Sequence, residues 1–287
     1  MTAGVEIVEM GPRDGLQNEP RPIPTAEKIA LIDCLGGAGF RRIEAASFVS
    51  PKWVPQMADS AAVMAGIHRA AGVRYLALTP NLQGYEAARA ARADMVAIFA
   101  SASESFSRAN LNCSINESIE RFVPIFHRAK ADNVQVRGYI SMVTDCPFEG
   151  PVSPGAVARV AALLRDLGCH EISLGDTIGH GRPETVDAML AAVLGEMPAD
   201  RLAGHFHDTA GRALANIDVS LARGLRVFDA SVGGLGGCPY APGAKGNVAT
   251  EAVDRHLRAH GYATGLDPAV LEQAAAMARA MKGGGDV

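Results

Sequence analysis

The sequence predicts an α/β protein, a (β/α)8 TIM barrel with a short C-terminal helical extension. Three observations point there: eight short β-branched runs, a helix-spaced stretch after each, and no glycine-rich phosphate turn after the first. The β-like runs lie at 5–10, 42–46, 74–78, 95–99, 134–140, 171–174, 202–207 and 227–232. Helical spacing of alanine and leucine follows at 25–38, 59–71, 83–93, 114–130, 155–167, 183–196, 212–222 and 247–259, with one further helix at 268–281. Parallel neighbours need a crossover helix, so strict alternation means a parallel sheet, and eight units in this length suit a closed barrel. A doubly wound sheet is the competitor. Its first turn would carry G-x-G-x-x-G, whereas the turn here reads GPRDGLQ from residue 11. No low-complexity linker divides the chain, so 1–287 reads as one catalytic domain, about 1–260 barrel and about 261–287 extension.

Apolar residues make up 48% of the 287 and charged residues 20%, which places the chain among folded proteins with a full core. Lysine and arginine total 27 against 31 acids, a net charge of −4, and basic residues never run beyond a pair such as Arg41 and Arg42. That balance argues against nucleic acid or an acidic membrane as partner. The longest apolar run, 188–194, falls well short of the roughly 18 residues of a membrane span. The five cysteines, at 34, 113, 146, 169 and 238, are odd in number and contain no C-x-x-C pair, which fits reduced thiols in a cytoplasm. The N-terminal residues enter a β-like run at once, so no targeting segment is expected.

Barrel enzymes place their chemistry at the carboxyl ends of the strands. Reactive residues recur there: Arg13 and Asp14, Glu44, Asn81, Ser103 and Glu104, Ser141, Asp176 and Thr177, then His205, His207 and Asp208, and finally Cys238. The sharpest feature is His205-Phe206-His207, because residues two apart on a strand face the same side with α-carbons roughly 6 to 7 Å apart. Two imidazoles at that spacing reach one metal ion. Asp14, on the strand that closes the barrel, can converge on the same point. Imidazole and oxygen without thiolate suit Mg²⁺ or Mn²⁺ with open positions, and Zn²⁺ stays open as an alternative. Arg13 sets a permanent cation beside that point, either for an anionic oxygen or as one half of a salt bridge with Glu44. Residues 233–237 hold four glycines in five positions, so Cys238 follows a segment that is neither rigid helix nor strand. A thiol there either moves a proton or merely packs.

Long segments then resemble the 3-hydroxy-3-methylglutaryl-CoA lyases, TIM-barrel metallolyases: GPRDGLQNE at 11–19, EAASFVSPKWVPQMAD at 44–59, SLGDTIG at 173–179, HFHDTAGRALAN at 205–216 and GLGGCPYAPGAKGNVATE at 234–251. The last is nearly diagnostic of the family. The resemblance implies Asp14, His205, His207 and Asn247 as ligands of a divalent cation, Arg13 as the group that stabilises an enolate, and Cys238 as the thiol that handles the proton. It implies Asp176 as a further acid or base, with Glu44 and Gln17 holding Arg13 and substrate. The implied reaction is a retro-aldol cleavage of an acyl-CoA substrate into acetyl-CoA and acetoacetate, in a homodimer. Lys245 and Ala252 stand where the family usually has Ser or Thr and Asp, which bears on the acyl group and not on the reaction class. A lyase for another 3-hydroxyacyl-CoA and a Claisen-type condensing enzyme are the alternatives, with a non-catalytic CoA-ester sensor a third.

Overall fold

The computed structural model describes residues 4–237 and 246–282. In chain order the elements are β1 (Glu6–Glu9), α1 (Thr25–Gly36), β2 (Arg42–Ser47), α2 (Ser60–Gly66), β3 (Arg74–Leu78), α3 (Leu82–Ala90), β4 (Met95–Ser101), α4 (Glu104–Leu111) and α5 (Ile115–Ala131). They continue with β5 (Gln135–Ser141), a hairpin of β6 (Asp145–Cys146) and β7 (Gly150–Pro151), α6 (Pro154–Leu167), β8 (Glu171–Asp176), α7 (Pro183–Val193), β9 (Leu202–Phe206), α8 (Ala213–Ala222), β10 (Val227–Ala230), α9 (Thr250–Ala259) and α10 (Pro268–Met281). Eight strands close in the order β1-β10-β9-β8-β5-β4-β3-β2, and each neighbouring pair is parallel. The fold is thus a TIM barrel with a C-terminal helix. No helix among the described residues is long and apolar enough to cross a membrane.

Local chemistry fixes the helix starts. Asn81 accepts from the Gly84 amide, Ser103 from Phe106 and Ser153 from Ala156, and Ser114 with Glu117 forms a capping box on α5. Two elements escape a periodicity reading: α4, whose ESFSRANL is short and mostly polar, and the β6–β7 hairpin, two residues a side. The predicted helix over 247–259 begins only at Thr250, which leaves Asn247 in extended chain bridged to His207.

The barrel interior departs from layers of branched aliphatic side chains. Arg42 on β2 donates to Glu171 on β8 at 2.8 and 3.2 Å, Arg137 on β5 pairs with Asp229 on β10 at 2.7 Å, and Tyr139 on β5 donates to Glu44 on β2 at 2.8 Å. These strands are not neighbours, so the bonds cross the lumen. Arg137 also reaches Glu171 at 2.6 Å, which joins the crossings into one lattice. Burial alone would push Glu171 and Asp229 toward neutrality, but the arginines more than cancel it and both carboxyls are held below their ordinary values.

Candidate active site

The chain leaves β1 through Gly11–Gly15, a π-helical turn in which the amides of Arg13, Asp14 and Gly15 all reach back to the Met10 carbonyl at 2.8 to 3.2 Å. Such a turn is rare and recurs at functional sites. It projects Arg13 and Asp14 side by side at the carboxyl end of the strand. Gly15 is required there, since a Cβ would lie 2.7 Å from Leu235 and 2.8 Å from the Ser231 hydroxyl. The buried Arg13 guanidinium donates through Nε to Glu44 at 2.5 Å and through Nη1 to Asp14 at 2.8 Å. Glu44 itself is fully buried and takes the Tyr139 hydroxyl on its other oxygen.

β9 supplies the imidazoles. His205 Nδ1 lies 3.2 Å from Asp229 Oδ2, and because a carboxylate only accepts, Nδ1 carries the proton and Nε2 is left free toward Asp14 Oδ2, 3.9 Å away. Asp229 is itself immobilised by Ser173 at 2.7 Å and by both Nη atoms of Arg137. His207 is buried and its Nδ1 has no hydrogen-bond partner among the described residues. One ligand atom each from Asp14, His205 and His207 lies within 4.8 Å of the others. An orphaned buried imidazole nitrogen beside a carboxylate and a second imidazole is a donor set that a divalent cation fits. Asn247 is also here, but its amide nitrogen faces Asp14 Oδ2, at 2.8 Å. Gly236 makes room for that amide: its φ is +107° and a Cβ would sit 2.7 Å from Asn247 Nδ2.

Burial drives the two histidines down, and their neighbours then separate them. The carboxylates of Asp229 and Asp14 bring His205 back above its ordinary value, whereas His207, facing His205, falls to about 4. Asp14 is raised by burial but held below the usual range by Arg13 and both imidazoles. Glu44 is pushed up by burial despite Arg13.

These groups open onto a cavity of about 650 Å³ at the carboxyl ends of the strands. Arg13, Asp14, Gln17, Asn81, Ser141, Thr177, His205 and His207 line it, and Gln17 donates to Asp14 at 3.0 Å. Other predicted mouth residues are not brought there. Asp176 holds a turn, accepting from Thr144, His180 and the Gly181 amide at 3.0, 3.2 and 2.9 Å. Ser103 caps α4, Glu104 accepts from Ile115, and Asp208 accepts from Ala213. Glu44 touches the cluster only through Arg13. Cys238 and Lys245 lie outside the described residues. Ala252 sits on α9. Sequence reasoning missed Asp229, Arg137 and Glu9. Their signal was present, a charged residue inside a run that otherwise reads as buried strand.

The fold and the mouth define the class: a TIM-barrel enzyme with a carboxylate and two imidazoles gathered beside a buried arginine. A sequence model of the HMGL-like family matches residues 4–278, and the chain belongs to that family. It is 57% identical over 270 residues to the 3-hydroxy-3-isohexenylglutaryl-CoA/hydroxymethylglutaryl-CoA lyase of Pseudomonas aeruginosa, covering 94% of this chain and 90% of that one. The crystal structure of the HMG-CoA lyase from Brucella melitensis superposes with a TM-score of 0.96 at 63% identity, over 98% of this chain and 99% of that one. An HMG-CoA lyase from Acinetobacter baumannii, solved with coenzyme A and 3-methylmalate, superposes with a TM-score of 0.93 at 38% identity, over 98% and 93%.

Proposed function

We propose that the chain is a hydroxymethylglutaryl-CoA lyase, cleaving 3-hydroxy-3-methylglutaryl-CoA into acetyl-CoA and acetoacetate. The observation that carries this is the convergence of Asp14, His205 and His207 beside Arg13 at the cavity mouth, in a chain 63% identical to a solved lyase of that name. A divalent cation bound by Asp14, His205, His207 and Asn247 would supply Lewis acidity toward the substrate's oxygens; Mg²⁺ or Mn²⁺ is our choice, on the oxygen donors and the positions left open to substrate oxygens. For Asn247 to serve, a half-turn of its amide puts Oδ1 where Nδ2 now stands.

The chain's own residues do the rest. Asp229 holds His205 in one tautomer, with Nε2 toward Asp14. Glu44, braced by Tyr139, fixes the Arg13 guanidinium on the cavity wall, where it hydrogen-bonds the thioester oxygen as that oxygen turns anionic. A base at the mouth takes the hydroxyl proton, the bond between C2 and C3 breaks, its electron pair passes into the thioester enolate, and acetoacetate departs as the ketone. Cys238, one residue beyond the cavity-lining Gly237, is our choice for returning a proton to C2. Gln17 steadies Asp14, and Asp176 enters as the holder of the turn beside Thr177. The free thiols of Cys34, Cys113, Cys146 and Cys169 agree with a reducing compartment.

A second acyl group has specific support. The Pseudomonas aeruginosa relative is named for a longer 3-substituent too, and Met10, Val49, Leu78 and Phe99 give this cavity an apolar wall. The test is release of acetyl-CoA and acetoacetate from 3-hydroxy-3-methylglutaryl-CoA and from its isohexenyl analogue, with Mg²⁺ or Mn²⁺ supplied and then chelated. Cation-dependent turnover of the methyl substrate is expected. Activity that survives chelation, or no cleavage of either ester, would overturn the proposal.

A further inference from the structure

We propose a second cation site on the outside of the barrel, formed by Asp218 of α8, His256 of α9 and His260, the residue that caps the C-terminus of α9, that takes a borderline ion of the Zn²⁺ class. His256 and His260 are four residues apart, so both imidazoles stand on one face of α9, with ring centroids 4.3 Å apart. His256 Nε2 lies 2.7 Å from Asp218 Oδ1, and one ligand atom from each of the three residues lies within 4.8 Å of the others. His260 Nδ1 lies 2.8 Å from the His256 carbonyl oxygen. A carbonyl only accepts, so Nδ1 carries the proton and Nε2 keeps its lone pair; by the same rule His256 Nε2 carries a proton toward Asp218, and an ion bound there displaces it. The bond from His260 to the His256 carbonyl also caps the C-terminus of α9, and the same cap holds the His260 ring beside the Asp218–His256 pair.

The donor set is two imidazoles and one carboxylate at a solvent-accessible place, with water to complete the coordination. Imidazole nitrogen selects Zn²⁺, Co²⁺ or Ni²⁺ over Mg²⁺ and Ca²⁺, which prefer oxygen. The mouth presents the same two imidazoles and a carboxylate, so Zn²⁺ can enter both places, and the two are told apart by which substitution removes an equivalent. The position of the outer site also gives it an effect. α8 follows the strand that carries His205, and α9 begins three residues after Asn247, with Thr250 anchored to Glu9 at 2.7 Å. An ion bridging α8 and α9 ties together, from behind, two segments that meet at the mouth.

The experiment is Zn²⁺ binding to the untagged full chain by equilibrium dialysis, comparing wild type with His260→Gln and Asp218→Asn. Circular dichroism and the metal-free melting temperature of each variant check folding. The expected result is that both variants fold as wild type, that His260→Gln binds one equivalent fewer than wild type, and that Asp218→Asn weakens the same equivalent. His205→Ala, by contrast, should retain it. Equal Zn²⁺ stoichiometry and affinity in wild type and His260→Gln would reduce the cluster to an ion pair and overturn the proposal.

Discussion

Glu9 is fully buried at the end of β1, and its carboxylate gathers the start and the end of the segment around the mouth. Oε1 accepts the Gly11 amide at 2.7 Å and the Val232 amide at 2.9 Å, and Oε2 accepts the Thr250 hydroxyl at 2.7 Å. Three donors do not offset the desolvation, and burial raises its pKa from 4.5 to about 7. The sign of the consequence follows from which state holds the proton. Between 4.5 and about 7 the folded chain keeps a proton that the unfolded chain has released, so this residue's contribution to stability falls as pH rises through that window. From about pH 5 to about pH 8 the loss is on the order of 2.5 kcal/mol. Glu9→Gln should remove that slope, because the amide oxygen still accepts from Gly11 and Val232 while the amide nitrogen donates to the Thr250 hydroxyl. Urea unfolding of both proteins at the two pH values gives a double difference in which the other titrating groups cancel. Parallel pH dependences in wild type and Glu9→Gln would refute the reasoning.

Three further outcomes are expected. Asp229→Asn should weaken cation binding about 10- to 100-fold, read by titration calorimetry, because His205 loses the carboxylate that fixes its tautomer; unchanged affinity would show that the tautomer needs no such partner. Arg13→Met should lower turnover by about 100-fold or more with a much smaller effect on substrate KM, since in the proposed mechanism the charge it loses serves an oxygen that becomes anionic only during bond breaking. Trp53 is the sole tryptophan, 82% exposed and on the cavity rim. Coenzyme A thioesters that fill the cavity should therefore change the intrinsic fluorescence, and no change at saturating ligand would place the nucleotide elsewhere.

The barrel was legible because its signal is repeated. A β-branched run and an amphipathic stretch recur eight times, so an error at one helix does not disturb the count. What stayed hidden is short or lies in the third dimension. The eight residues of α4 are mostly polar and give no apolar stripe to read. Asp14, His205 and His207 could be assembled from strand alternation and barrel closure alone, and their ligand atoms do lie within 4.8 Å of one another. Asn247 could not, because it sits in neither helix nor strand, and it reaches Asp14 only because its segment pairs with the end of β9. Asp176 is the opposite case. Position after a strand made it look like a mouth residue, but the sequence carries no record of which way a side chain turns in a tight loop, and here it turns toward the amides of His180 and Gly181.

The lattice inside the barrel explains why the site needs so much buried charge beneath it. A lumen of aliphatic layers would be cheaper to desolvate, and breaking one member of a buried ion pair is far more destabilising than replacing the whole pair with apolar groups. What the ionic crossing provides is direction. Arg137 binds Asp229 through two nitrogens, so the carboxylate cannot rotate away from His205, and Tyr139 pins Glu44 in the orientation that receives Arg13. Both arms start on β5, two residues apart on the same face of one strand. One strand on the far side of the barrel therefore sets the orientation of the imidazole and the guanidinium together, and Tyr139→Phe should loosen Arg13 while leaving His205 in place. Turnover of that variant should fall with cation affinity unchanged; a parallel loss of cation affinity would show that the two arms are not separable.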